Sequence, residues 1–248
     1  MKRVFVTLVT IGLASLVAGT ASLASAAGLN LGWNDCPSGV SYQLNNAFAC
    51  DTNTGTQLMV GSYIPPPEVD AVDGNEVVLN LTTNQATLSP WWSMGSGGCV
   101  GRTATPAANF DFTVGPFSCT DFWQGQAVGG IDYTRQLDGP NRARIRVICA
   151  VQDLLAGPQS PATEYYSFKV FISNARTVGS PSCAGCTDAA CIVLNSIKID
   201  QVAPATFNPT ITNPALSNFV TWRGGTGGCA GSTPARNVTW SSIKALYR

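Results

Sequence analysis

The sequence predicts an all-β fold, an antiparallel two-sheet sandwich of jelly-roll or Greek-key type with disulfide-stapled loops. Three observations carry this. Only 11% of the 248 residues are charged, while 25 are glycine and 15 proline, a composition of strands joined by tight turns rather than of long surface helices. Several segments alternate apolar and polar residues with the period of two that places one side of a strand in a core. Nine cysteines follow what reads as an export signal, and an oxidising compartment turns such cysteines into covalent staples.

The export signal comes first along the chain. Lys2 and Arg3 precede an apolar, small-residue run, and the stretch ends in Ala24-Ser25-Ala26 and Ser25-Ala26-Ala27. A charged start, an apolar middle and an Ala-x-Ala site make residues 1–27 a secretory signal peptide, cleaved after Ala26 or Ala27. No second long apolar run follows, so no membrane span is expected in the mature chain, residues 28–248. With Lys2 and Arg3 gone, 12 of the 14 basic residues face 14 acidic ones. A surface this close to neutral offers nucleic acid or anionic membrane no clustered charge. The chain contains no histidine, which removes Ser-His-Asp and Cys-His catalysis and His-ligated zinc from within it.

Residues 29–33 start a strand, 40–48 are apolar but irregular, and 56–63 form a strand ended by Pro65-Pro66-Pro67. Residues 68–75 read as a polar turn. Its carboxylates, Glu68, Asp70 and Asp73 with Glu76 beyond, lack the spacing of an EF-hand loop, so a solvated turn is expected. In residues 76–82 Val77, Leu79 and Leu81 point inward. Residues 142–151 bury Ile145, Val147, Cys149 and Val151, leaving Arg142, Arg144 and Arg146 on a solvated face. Residues 164–174 place Tyr166, Phe168, Val170 and Ile172 on one side. The loop between these last two segments holds Gly157, Pro158 and Pro161, too irregular for a crossover helix. The two strands are therefore expected to be antiparallel neighbours.

A short box occurs twice. Trp92-Ser93-Met94-Gly95-Ser96-Gly97-Gly98-Cys99-Val100-Gly101-Arg102-Thr103 is echoed by Trp222-Arg223-Gly224-Gly225-Thr226-Gly227-Gly228-Cys229-Ala230-Gly231-Ser232-Thr233. Tryptophan and cysteine at the same separation, among glycines, point to an internal pseudo-repeat that frames the fold and carries no recognisable chemistry. A strand-like run precedes each box, Val77-Val78-Leu79-Asn80 and Cys191-Ile192-Val193-Leu194-Asn195.

The odd cysteine is assigned to Cys149, a thiol on the buried side of a strand. The disulfide candidates are Cys36, Cys50, Cys99, Cys119, Cys183, Cys186, Cys191 and Cys229. Loop size favours Cys36 with Cys50 and Cys99 with Cys119. That leaves one bridge inside the 183–191 cluster and one from it to Cys229. A four-thiolate zinc site is disfavoured because Cys183-x-x-Cys186 has no matching pair, so neither metal nor cofactor is expected.

Residues 239–248 suit a short C-terminal helix with Trp240, Ile243, Leu246 and Tyr247 on one side. This Thr-Trp-x-x-Ile-Lys-x-Leu-Tyr-Arg ending, the Gly-Leu-Asn-Leu-x-Trp start at residues 28–33 and the cysteine-rich middle resemble a group of uncharacterised exported bacterial proteins. The resemblance implies export and a shared fold, and brings no activity.

Function is expected to be non-enzymatic: an exported sandwich, secreted to the periplasm, cell surface or extracellular space, that binds a ligand or builds the envelope. Its expected partners are a glycan or an envelope protein. The alternative is a carbohydrate-binding module or a carboxylate-based glycoside hydrolase, with sugar stacking on Trp91 or Trp123 and Asp111, Asp121 and Asp132 as nearby carboxylates.

Overall fold

The computed structural model describes residues 26–224 and Cys229. The signal peptide, most of the second box and the predicted C-terminal helix lie outside the described residues. Among the described residues, eleven strands form two sheets. One has the order β1 (Gly28–Trp33), β3 (Thr56–Ile64), β8 (Tyr165–Ser173), β5 (Ala107–Asn109). The other runs β2 (Asn45–Asn46), β11 (Phe219–Trp222), β9 (Ala190–Gln201), β4 (Val72–Thr83), β7 (Arg142–Ala150), β6 (Val128–Arg135), with β10 (Thr210–Ile211) against β9. All pairings are antiparallel except the short one between β11 and β2.

The sheets pack face to face through the residues that alternation selects. Leu29, Leu31 and Trp33 of β1 meet Val77, Leu79 and Leu81 of β4, Ile145 and Val147 of β7, and Ile192, Leu194, Ile197 and Ile199 of β9 in one buried core. The outer side of β7 carries its arginines as expected: Arg144 pairs with Asp138, and Arg146 with Glu76.

Three expectations about strands are corrected. β4 begins at Val72, so half of the predicted polar turn is strand, with Asp73 partly exposed and Asn75 buried, its Oδ1 accepting from the Ser167 hydroxyl at 3.0 Å. β7 and β8 are not neighbours but lie in opposite sheets, because the proline-containing loop crosses the sandwich instead of turning back within a sheet. Tyr166 does not share a side with Phe168, Val170 and Ile172. The β3–β8 register shifts between Gly61 and Ser62, which pair with Phe168 and Tyr166, so Ser167 is an extra residue that turns Tyr166 to the outer side.

The cysteine pairing is also corrected. The bonds are Cys36–Cys119, Cys50–Cys186, Cys99–Cys183 and Cys191–Cys229. Neither Cys36–Cys50 nor Cys99–Cys119 forms, and no bridge lies inside the 183–191 cluster. Short loops are cheap to close, but the strand order sets which loops meet, and each bond joins segments from different parts of the chain. Cys149 is free and buried. Its thiol points to Asn75 Oδ1, 3.2 Å away.

Burial pushes the Cys149 thiol up to about 12, and the phenols of Tyr42 and Tyr166 likewise. These groups keep protons in the fold that the unfolded chain gives up at lower pH, so their stabilisation is complete below about pH 9 and disappears as pH rises through about 12. Urea midpoints measured from pH 7 to 11 should fall only above pH 9, by at most about 1.4 kcal/mol per pH unit from the thiol alone. A midpoint unchanged at pH 11, or rapid thiol labelling of the native protein at pH 8, would contradict the burial of this group.

Candidate functional site

The first box folds into a compact knot at the end of the sandwich. The chain turns at Ser89, whose carbonyl accepts the Trp92 and Ser93 amides at 3.0 and 2.9 Å; the Cys99 amide then returns to the Ser93 carbonyl at 2.8 Å. Glycine is required here for a steric reason: Gly95 and Gly97 have positive φ, and a Cβ on Gly98 would strike the Ser93 carbonyl. Cys99–Cys183 pins the knot to the loop before β9.

Beneath it lies an aromatic cluster. Trp222 packs 5.2 Å from Trp91, 5.5 Å from Trp92, 5.9 Å from Trp33 and 6.0 Å from Phe48 between ring centroids. The four indole N–H groups of this cluster donate to Thr221 O, Thr177 Oγ1, Asp188 O and Cys186 O, so the tryptophans are buried without an orphaned donor. Trp91 is 0% exposed and offers no face to a sugar. Trp123, at 6%, is buried too, its ring edge-on to Phe122 at 5.7 Å. Neither can stack on a ligand: the first box folds back over Trp91, and the 121–127 turn holds Trp123 inward.

The Arg102 guanidinium sits 4.1 Å over the Trp91 ring and is 1% exposed. Its Nη1 donates to the carbonyls of Ser173 and Ala175, while Nε and Nη2 have no acceptor among the described residues. Burial pulls its pKa down to about 10, which still leaves it a cation at neutral pH.

Against the knot, the C-terminal half of β6 opens a cleft of about 420 Å³ lined by Leu88, Ser93, Ser96, Tyr133, Thr134, Arg135 and Gln136. Arg135 forms its wall, donating from Nη1 to Gly97 O at 2.7 Å and Ser93 Oγ at 3.2 Å, and from Nη2 to Ser96 O at 3.1 Å. The Tyr133 hydroxyl donates to Trp92 O at 2.5 Å. Burial raises the Tyr133 phenol, and the nearby Arg135 and Arg102 cations oppose that rise. The result is a hydroxyl- and amide-lined recess with one guanidinium.

The predicted carboxylates divide. Asp111 and Asp121 come together near Lys169 on the outer side of the smaller sheet, whereas Asp132 lies on β6, bonded to Thr134. Lys169 is 4% exposed, with its ammonium donating to the carbonyls of Asp111 and Gly115, 4.7 Å over the Phe112 ring. Hydrogen bonds from Thr113 lower the Asp111 carboxyl, and burial raises that of Asp121. On the same side Cys36–Cys119 holds a second small core of Val60, Phe112 and Tyr166, whose hydroxyl donates to Asp35 at 2.9 Å. Glu164 there accepts from Asn30 at 2.7 Å and Ser62 at 2.6 Å, bonds that fasten strands rather than face solvent.

Sequence reasoning had Ser93 and Ser96 in view inside the box but missed Arg135, Tyr133 and Gln136. The signal available was the alternation of β6, which sets Tyr133 and Arg135 on one side. Scanned against protein-family models, curated proteins and solved structures, the chain matches none.

Proposed function

We propose that the chain is exported and that its mature part is a non-enzymatic binding module of the envelope or extracellular space, taking a glycan in the cleft between the first box and β6. The observation that carries this reading is the cleft itself: hydroxyls and an amide around a guanidinium that three hydrogen bonds hold against the box, itself pinned by Cys99–Cys183. A wall that is already rigid loses little freedom on binding, which favours affinity. Export is supported by the leader, by four disulfides, and by the resemblance to exported proteins. No helix among the described residues is long and apolar enough to cross a membrane.

The test is a glycan array followed by titration of the oxidised mature protein, with Ser96→Trp and Thr134→Trp filling the cleft from its two sides. Each is expected to weaken binding at least tenfold. Binding that both variants leave intact, or an array with no hits, would overturn the reading.

The rival, a glycoside hydrolase, is favoured by one placement: Asp111 and Asp121 lie together beside Lys169, whose ammonium donates to the carbonyls of Asp111 and Gly115. Sugar release by the purified protein, abolished by Asp111→Asn and by Asp121→Asn, would establish it over the binding module.

A further inference from the structure

The donor count at Arg135 leaves a vacancy in its hydrogen bonding. A guanidinium has five N–H groups, and three of those on Arg135 are taken by Ser93 Oγ, Gly97 O and Ser96 O. The Nε hydrogen and one Nη2 hydrogen have no acceptor among the described residues. In a guanidinium these two project in parallel from one edge, the arrangement that receives both oxygens of a carboxylate or sulfate. Three existing bonds hold the group in place, so the edge is preset for such a ligand.

The charges around the cleft agree. Arg135 belongs to none of the ion pairs among the described residues, and Arg102, buried behind the knot, has no carboxylate partner either. The side chain of a third cation, Arg176, packs against Gly101 of the same box. Of the neighbouring acids, Asp138 is paired with Arg144 at 2.7 Å, whereas Asp132, which accepts the Thr134 hydroxyl, and Asp188, which accepts the Gln85 amide, have no cationic partner among the described residues, so the three guanidinium groups outnumber two unpaired carboxylates. The chain as a whole carries no formal net charge, yet the box concentrates unpaired guanidinium. Buried or half-buried charge of one sign in a recess attracts the opposite charge with little screening.

We propose that the cleft binds an acidic glycan, its carboxylate or sulfate seated on the free edge of Arg135 and its hydroxyls on Ser93, Ser96 and Gln136. This rests on the reading of the cleft as a glycan site and names the ligand's class. A neutral oligosaccharide would leave the Arg135 edge unpaired, so the acidic one should bind at least tenfold tighter at 50 mM salt and lose much of that margin at 500 mM.

The experiment titrates the oxidised mature protein with oligogalacturonate, a sulfated galactan oligosaccharide and a neutral galactan oligosaccharide of equal length. Arg135→Gln should cost at least tenfold for the acidic ligands, with Arg135→Lys intermediate because it keeps the charge but not the two-pronged edge. Because Arg135 also supports the box, Gln136→Glu provides a second variant: its side chain makes no hydrogen bond among the described residues, and the added carboxylate should weaken acidic ligands about fivefold more than it weakens the neutral one. Comparing the oligogalacturonate and sulfated arms identifies which anion fits. Equal affinity for neutral and acidic ligands, lost in Ser96→Trp, would overturn the acidic class while leaving a glycan cleft. Acidic binding untouched by both Arg135→Gln and Gln136→Glu would also overturn it. Failure of every oligosaccharide to bind would remove the glycan reading altogether.

Discussion

Replacing Cys50 and Cys186 together by alanine is expected to lower the unfolding free energy by about 3–5 kcal/mol. The two cysteines are 136 residues apart, and closing a loop of that length restricts the unfolded chain by about 5 kcal/mol in the chain-entropy account. Cys36–Cys119 and Cys99–Cys183 span 83 and 84 residues and overlap this loop, so part of the restriction survives, hence the lower end of the range. The bond also ties the segment after β2 to the loop before β9, where Phe48 and the Cys186 carbonyl both contact Trp222. Total stabilities are about 5–15 kcal/mol, so the double variant should unfold at a far lower urea concentration. Peptide mapping without reduction should recover the Cys50–Cys186 peptide pair from the parent protein. Recovery of a Cys36–Cys50 pair instead would refute the arrangement of the four staples.

Trp222→Ala should be comparably damaging, at about 3–5 kcal/mol. Trp222 is 0% exposed and is the ring on which Trp33, Trp91, Trp92 and Phe48 converge, so its loss leaves a cavity bordered by rings that cannot collapse into it. It also orphans the Cys186 carbonyl, which accepts its indole N–H at 2.7 Å. Trp222→Phe keeps an aromatic ring and should cost less than half as much. Urea unfolding monitored by near-ultraviolet circular dichroism measures both, since coupled tryptophans dominate that spectrum. A loss below 1 kcal/mol in Trp222→Ala would mean that the cluster is not the organising contact of this end of the sandwich.

Much of the strand inventory was legible in the sequence because a strand buries every second residue. Val77, Leu79 and Leu81, and Ile145, Val147 and Cys149, are buried where alternation puts them. Alternation does not say which strand lies beside which. β7 and β8 read as a hairpin and belong to opposite sheets, while β4 and β9, 107 positions apart at Thr83 and Ala190, are paired along most of their length. Tyr166 was misplaced for a related reason, since one extra residue at Ser167 reverses sidedness without altering the local pattern. The candidate site was less legible still. Trp91 and Trp123 were candidate stacking residues because an exposed tryptophan on a sandwich can cover a sugar ring and adjacent strand residues such as Trp91 and Trp92 point to opposite faces, but packing buries all three. Arg135 carries no local mark, and its importance arises only where the Ser96 and Gly97 carbonyls meet it.

The sequence by itself determined the class of fold, the buried side of the principal strands and the chemistries that a chain without histidine lacks, because composition and periodicity are properties of neighbouring residues. Whereas the free Cys149 and a bridge from the 183–191 cluster to Cys229 were already legible, tertiary structure alone decided the sheet order, the partners of Cys36, Cys50, Cys99, Cys119, Cys183 and Cys186, and the cleft at Arg135. Each of these depends on segments far apart in the chain, brought together by burying a shared core rather than by any signal in the residues beside them.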